Sequence, residues 1–214
     1  MNGLIVKDMQ IFFKKLSAVN LIIILIGTGF CFFYLHLEGM ILVGTLLPAL
    51  FVSLSKTLFV DDRQSKWDKY AISMPVSKNT IVLSRYISIT FIALIGALFA
   101  FCLNLILMNF YQDFSLFDLI KTFFIGAGIG IIYSFFLLPF NYSAGTNGGI
   151  FAFLTVFILG LLLCYITKNQ FSDTLPVLLE IVADNWKIIL PICLIVFGIL
   201  SFMVSKFFYC KKHQ

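Results

Sequence analysis

The 214 residues are 61% hydrophobic and only 12% charged, with 26 Phe and a mean hydropathy of +1.04, whereas soluble domains carry about a quarter charged residues. No soluble globule can bury so much apolar side chain, and this length holds six spans of about 20 residues with their connections but no separate soluble domain. The formal charge of +5 gathers at the ends of apolar runs and not in a basic stripe, which argues for topology signals and against a nucleic-acid partner.

The chain opens on a short amphipathic pattern, Ile5, Met9, Ile11, Phe12 and Phe13 among Lys7, Asp8, Gln10, Lys14 and Lys15. It predicts an interfacial helix over 2–15 lying along the membrane surface. No small-residue cleavage site precedes the first apolar run, so a removable secretory signal is not expected. Apolar runs then predict spans at about 17–36, 39–60, 79–111, 117–140, 149–167 and 187–208. The fold class expected is all-α, a single polytopic membrane domain over 1–214. The third run is too long for a perpendicular span, and its first turns, around Ser84 and Arg85, are expected to reach out of the hydrocarbon, because a lone Arg there is costly.

Orientation follows from Lys and Arg in short loops near span ends. Placing the N-terminus inside puts Lys7, Lys14, Lys15, Lys56, Arg63, Lys66, Lys69, Lys78, Arg85, Lys206, Lys211 and Lys212 on the cytoplasmic side and only Lys121, Lys168 and Lys187 outside. Six spans return the C-terminus to the cytoplasm. The outer loop between spans five and six carries apolar residues around Pro176 and reads either as short helices dipping into the outer leaflet or as an amphipathic surface helix. The inner loop 141–148 is Gly- and Asn-rich and uncharged.

Several chemistries are absent. No G-x-x-x-x-G-K-[ST] occurs, so ATP hydrolysis would have to come from a partner. The span interiors carry no acidic or His residue of the kind that moves a coupling ion. His36 and His213 are expected on opposite sides of the membrane, which speaks against a hydrolytic site inside the bundle, so no catalytic residue is assigned. Cys31, Cys102, Cys164, Cys193 and Cys210 have no C-x-x-C spacing and read as packing residues, not as metal ligands. Asn104, polar and well inside a span, suits either a pathway lining or an interhelical hydrogen bond. Gly126 and Gly130 form a G-x-x-x-G pair that suits close helix packing within the chain or at a subunit interface.

The segment 61–78, DDRQSKWDKYAISMPVSK, is the charged inner loop. Asp61 or Asp62 is expected to cap a helix starting near Arg63, with Pro75 stopping it. Trp67, Tyr70, Ala71 and Met74 fall at helical spacing, while Arg63, Lys66 and Lys69 line a neighbouring face. An interfacial helix and a docking helix for a cytoplasmic partner both fit this pattern.

Trp67-Asp68-Lys69-Tyr70, then Met74-Pro75-Val76-Ser77-Lys78, then Ile81-Val82-Leu83-Ser84-Arg85-Tyr86, behind an amphipathic N-terminus and within six spans, resembles the permease subunits of type-two ATP-binding-cassette (ABC) exporters. Permeases of bacterial peptide exporters, those for phenol-soluble modulins among them, are especially similar. The resemblance implies an elbow helix at 2–15 and a coupling helix in 61–78, with Arg63, Lys66, Trp67, Asp68, Lys69, Tyr70, Met74 and Pro75 meeting a separate ABC ATPase subunit. That partner would bind ATP and Mg, this chain holding no cofactor and no metal. It further implies a second permease subunit, the same or similar, a peptide or lipid-like cargo and a bacterial cytoplasmic membrane. The uncharged 141–148 departs from relatives that carry charges there. The contrasting expectation is a non-transporting scaffold or sensor subunit that recruits a cytoplasmic partner through the same loop.

Overall fold

A computed structural model describes residues 1–67, 70–71, 76–109, 115–169 and 186–212. All regular structure among them is helical: α1 (Asn2–Lys15), α2 (Ala18–Leu54), α3 (Lys56–Gln64), α4 (Lys78–Met108), α5 (Leu116–Ala144), a 3-10 turn (Gly145–Asn147), α6 (Gly148–Asn169) and α7 (Trp186–Lys212). The chain divides into two compact units, Met1–Ser134 and Phe135–Gln214.

In the first unit, α1 ends where the Leu16 N–H donates to the Phe12 carbonyl, and the Ser17 hydroxyl then accepts from Val19 N–H at 3.2 Å to start α2. Such a cap satisfies one of the orphan donors of a helix start. A straight helix of the 37 residues of α2 would be about 55 Å long. Instead the chain folds back: a Cβ built on Gly39 would stand 3.2 Å from Phe32 Cα and collide with the Cys31 carbonyl. Residues seven or eight apart in a straight helix are more than about 10 Å apart. Thus α2 is a hairpin with arms Ala18–Leu35 and, running on through α3, Glu38–Gln64. Glycine at 39 is needed because the reversal leaves no room for a side chain.

The second arm carries Pro48, and three glycines converge on it. Cβ atoms at Gly96, Gly126 and Gly130 would lie 3.0 Å from Pro48 Cα, 3.3 Å from its Cγ and 3.1 Å from its Cβ. Small residues allow this closeness where hydrocarbon gives helices no hydrophobic reason to associate. Around this crossing Leu47, Val52, Ile89, Ile92 and Ala93 are fully buried. Phe51 bridges outward to Phe12 of α1 and Phe99 of α4, at ring-centroid distances of 6.5 and 5.7 Å.

In the second unit, α5 continues to Ala144, farther than the expected end near 140, and the 3-10 turn joins it directly to α6. The connection 141–148 is therefore a helical corner and not an open loop. Gly145 takes φ of 68°, a left-handed conformation natural to glycine. On α7, Ser201 Oγ donates to the Phe135 carbonyl at 2.5 Å, and Tyr209 meets Tyr142 edge-on with centroids 5.6 Å apart.

Outward-facing side chains are overwhelmingly apolar. Phe33 is 80% exposed, Ile26 67%, Phe124 65% and Phe207 64%, and the arm Ala18–Leu35 buries none of its residues within the protein. Water does not tolerate such surface, and hydrocarbon does. Among the described residues, five helical stretches are long and apolar enough to cross a membrane: Ala18–Leu35, Glu38–Gln64, Lys78–Met108, Leu116–Ala144 and Leu194–Lys211. The span expected at 149–167 falls on α6, whose described apolar stretch, Gly148–Ile158, is shorter than that. The outer loop reading for 170–185 lies outside the described residues.

Candidate functional site

The most polar place in the first unit is the junction of α1, α3 and α4. On α1, Asp8 and Phe12 are four residues apart and share one face, and both are buried. On α4, Ser77 starts the helix by accepting from Thr80 N–H at 3.2 Å, and two turns on, Arg85 and Ser88 turn inward. From α3 comes Asp62. These three elements place Asp8, Asp62 and Arg85 together at 2%, 7% and 7% exposure, where an unpaired charge would be costly.

All are paired. Arg85 Nη1 lies 3.0 Å from Asp8 Oδ1, and Arg85 Nη2 donates to Asp62 Oδ2. Lys7 Nζ donates to the other Asp62 oxygen at 2.7 Å and stands 3.8 Å from Asp8 Oδ1. Two cations thus neutralise two carboxylates. Guanidinium suits the centre because its planar fork can hold two carboxylates at once, which an ammonium does less well. Burial pushes the Asp8 carboxyl above its usual range and Asp62 pushes the same way, while Arg85, Lys7 and a hydrogen bond from Ser88 pull it down.

The cluster extends to aromatic rings. Lys7 Nζ sits 3.9 Å from the centroid of the Trp67 ring and Arg85 Cζ 5.2 Å from that of Phe59, both within cation-π range. On the outer side Lys15 and Asp61 pair at 3.6 Å. The arrangement offers no nucleophile with a base, and no group of three metal-ligating side chains occurs among the described residues. Mechanically it is a joint: α1, the end of the second span arm and the start of α4 are tied through one guanidinium, and Trp67 is tied to the same set through Lys7.

The residues assigned to coupling from sequence divide. Arg63 and Lys66 are exposed, Trp67 is half-buried, and Tyr70 is 62% exposed beside the buried Ala71. Asp68, Lys69, Met74 and Pro75 lie outside the described residues. One expectation is corrected: Asp61 and Asp62 do not cap a helix beginning near Arg63 but lie inside α3, which ends at Gln64. The chain then turns at Lys66, with φ of 52°, before Trp67. The physical reason is the ion pairing, which holds both aspartates against α1 and α4 on the continuation of the second span arm.

Asn104 is 1% exposed, and its Nδ2 donates to the Met40 carbonyl at 3.0 Å. Gly126 packs against the Gly44 backbone, and Gly130 against Pro48 and Ala93. Sequence reasoning missed the Asp8, Asp62 and Arg85 set. The available signal was Arg85 itself, an Arg two turns inside an apolar helix, which demands a carboxylate partner as readily as a route to the interface.

Fold and surface define a multi-pass, all-helical membrane protein. The family described as ABC-2 family transporter protein matches residues 3–214, nearly the whole chain, and the chain belongs to it. It is a permease subunit of an ABC transporter, the membrane partner of an ABC ATPase subunit. No curated protein and no solved structure matches the chain.

Proposed function

We propose that this permease is half of an exporter of six spans, with both ends in the cytoplasm of a bacterial cell, and that it receives the ATPase stroke through 61–78. The observation that carries the reading is the tie from Trp67 through Lys7 to Asp8, Asp62 and Arg85. A segment that pressed on a cytoplasmic partner would, through these contacts, displace α1, α3 and α4 together and not merely bend a loop. ATP and Mg are bound by the partner. Closure of two ATPases would move the segments of two paired permeases and so shift spans two and three. The charge distribution supports the orientation, since Arg63, Lys66 and the basic end of α1 all lie at the junction end. Phe-rich walls with few fixed charges suit an amphipathic peptide cargo.

The test is co-purification with its ABC ATPase subunit, followed by ATPase activity in lipid. Trp67→Ala with Tyr70→Ala is expected to weaken the complex and abolish cargo-stimulated hydrolysis while leaving the permease folded. Full binding and full stimulation in that variant would remove the coupling role. A complex that binds its partner through 61–78 but never moves peptide across the bilayer would instead mark a scaffold or sensor.

A further inference from the structure

Between the two arms of the α2 hairpin lies a cavity of about 410 Å³, within the roughly 300–1,000 Å³ of small-molecule sites. Its wall is carbon. Ile23, Ile24, Leu46, Leu47 and Leu50 line it, and the hydroxyls of Thr28 and Ser53 turn back on the Leu25 and Leu50 carbonyls at 3.0 and 2.7 Å. Gly27 leaves it open, since a Cβ there would meet nothing within 4 Å.

The two ends differ. One reaches only Cys31 and Leu42. At the other, Asn20 and Leu54 also line a small neighbouring recess formed with Phe12, Lys15, Leu16 and Thr57. Lys15, 46% exposed at its side chain, stands at that mouth, with Asp61 3.6 Å from its ammonium. Lys14 precedes it in sequence and Lys56 precedes Thr57 of the same recess, both exposed, and the N-terminus of α2 adds its partial positive charge at the same end. Three cations against one carboxylate favour an anion.

Length decides what the apolar part holds. From Asn20 to Cys31 the arm rises about 16 Å, half of a roughly 30 Å hydrocarbon core. A partner helix would need the full thickness. One acyl chain of one leaflet needs about half, with its headgroup at the basic mouth.

We propose that this groove is a binding site for an anionic phospholipid, its chain between the arms of α2 and its phosphate at Lys14, Lys15 and Lys56. Basic pockets between membrane helices bind such headgroups. Assigning the lipid to the inner leaflet rests on the orientation proposed above; the binding itself does not.

The experiment places the full chain in nanodiscs of equal phosphatidylglycerol and phosphatidylcholine with the same acyl chains, releases it into mild detergent and weighs it by native mass spectrometry. Wild type should retain phosphatidylglycerol over phosphatidylcholine by at least about tenfold, given the attraction of each Lys for an anionic headgroup. Joint replacement Lys14→Gln, Lys15→Gln and Lys56→Gln should erase the preference, and Gly27→Phe should expel both lipids. The lysines are exposed, so the headgroup comparison stands even where Gly27→Phe does not fold. Absence of preference in wild type, or unchanged retention in Gly27→Phe, overturns the site. So does a lipid-free dimer that Gly27→Phe converts to monomer, which would make a second copy the occupant. Because both leaflets of the disc are identical, a wrong orientation leaves this result untouched and is read separately by labelling single cysteines from each side of the membrane.

Discussion

Arg85 Nη1 lies 3.0 Å from Asp8 Oδ1 although the two residues stand on different helices 77 positions apart, and the same guanidinium donates through Nη2 to Asp62. One side chain therefore fixes the N-terminal helix and the end of the second span arm to the start of α4. Breaking a buried pair costs more than its formation gains, because the surviving partner stays buried without compensation. Arg85 and Asp62 are each 7% exposed. In Asp62→Ala, Arg85 keeps Asp8 but shares that one carboxylate with Lys7, so the loss is expected at or below the low end for a broken buried pair, up to about 3 kcal/mol, read as an earlier unfolding transition in mild detergent. Arg85→Lys should move it in the same direction, since one ammonium cannot hold both carboxylates as the fork does. A variant Asp62→Ala that unfolds with wild type would show that the contact contributes nothing.

Asp8 makes the joint sensitive to pH. Its carboxyl is raised above the usual 3.8, burial being the largest cause. A raised acid is bound to its proton more tightly in the folded chain than in the unfolded one, so the folded state gains from falling pH. This contribution grows as pH drops through the raised value and is complete below about 3.8. The comparison is wild type against Asp8→Asn from neutral pH to pH 4: the stability difference between them should shift toward wild type as the pH falls. A shift the other way, away from wild type as the pH falls, would mean that pairing with Arg85 and Lys7 outweighs burial, and a difference independent of pH that the two cancel.

The membrane character and five of the six expected spans were legible because each depends on local pattern, run length or helix period. The joint was not. Asp8, Asp62 and Arg85 are far apart in sequence, and nothing in the period of any single segment says which acid meets which base. Local rules also misplaced Asp61 and Asp62, since aspartate before a helical pattern reads as a cap, whereas ion pairing holds both inside α3. Pro48 was overlooked for a related reason. A proline within an apolar run signals a weakened helix, and its role as the point where Gly96, Gly126 and Gly130 converge exists only once three helices are packed.

That convergence separates glycines that sequence treats alike. A Cβ on Gly126 would collide with the Gly44 carbonyl oxygen and stand 3.3 Å from Pro48 Cγ, whereas one on Gly128 would meet nothing within 4 Å. Gly126→Ala must push α5 away from α2 and is expected to cost about 1–3 kcal/mol, as overpacking does. Gly128→Ala should be neutral or raise stability by up to about 1 kcal/mol through helix propensity. Thermal unfolding of the two single variants checks this; equal behaviour would mean that the crossing at Pro48 is loose.

Asn104 tests whether a polar residue deep in a span serves a pathway or the packing. Its Nδ2 donates to the Met40 carbonyl at 3.0 Å, while its Oδ1 has no hydrogen-bond partner among the described residues. Asn104→Leu, similar in size, removes one interhelical bond, for which about 0.6–1.7 kcal/mol is typical in membranes, and also removes the unsatisfied oxygen, which offsets part of that loss. The net change in stability is therefore expected to stay below about 1 kcal/mol, with transport and ATPase stimulation preserved, because the side chain is only 1% exposed and touches no open space. Measuring unfolding and transport on the same preparation decides between the roles. A variant of wild-type stability that no longer moves cargo would place Asn104 on the route through the protein and require a conformation in which α4 has turned away from Met40.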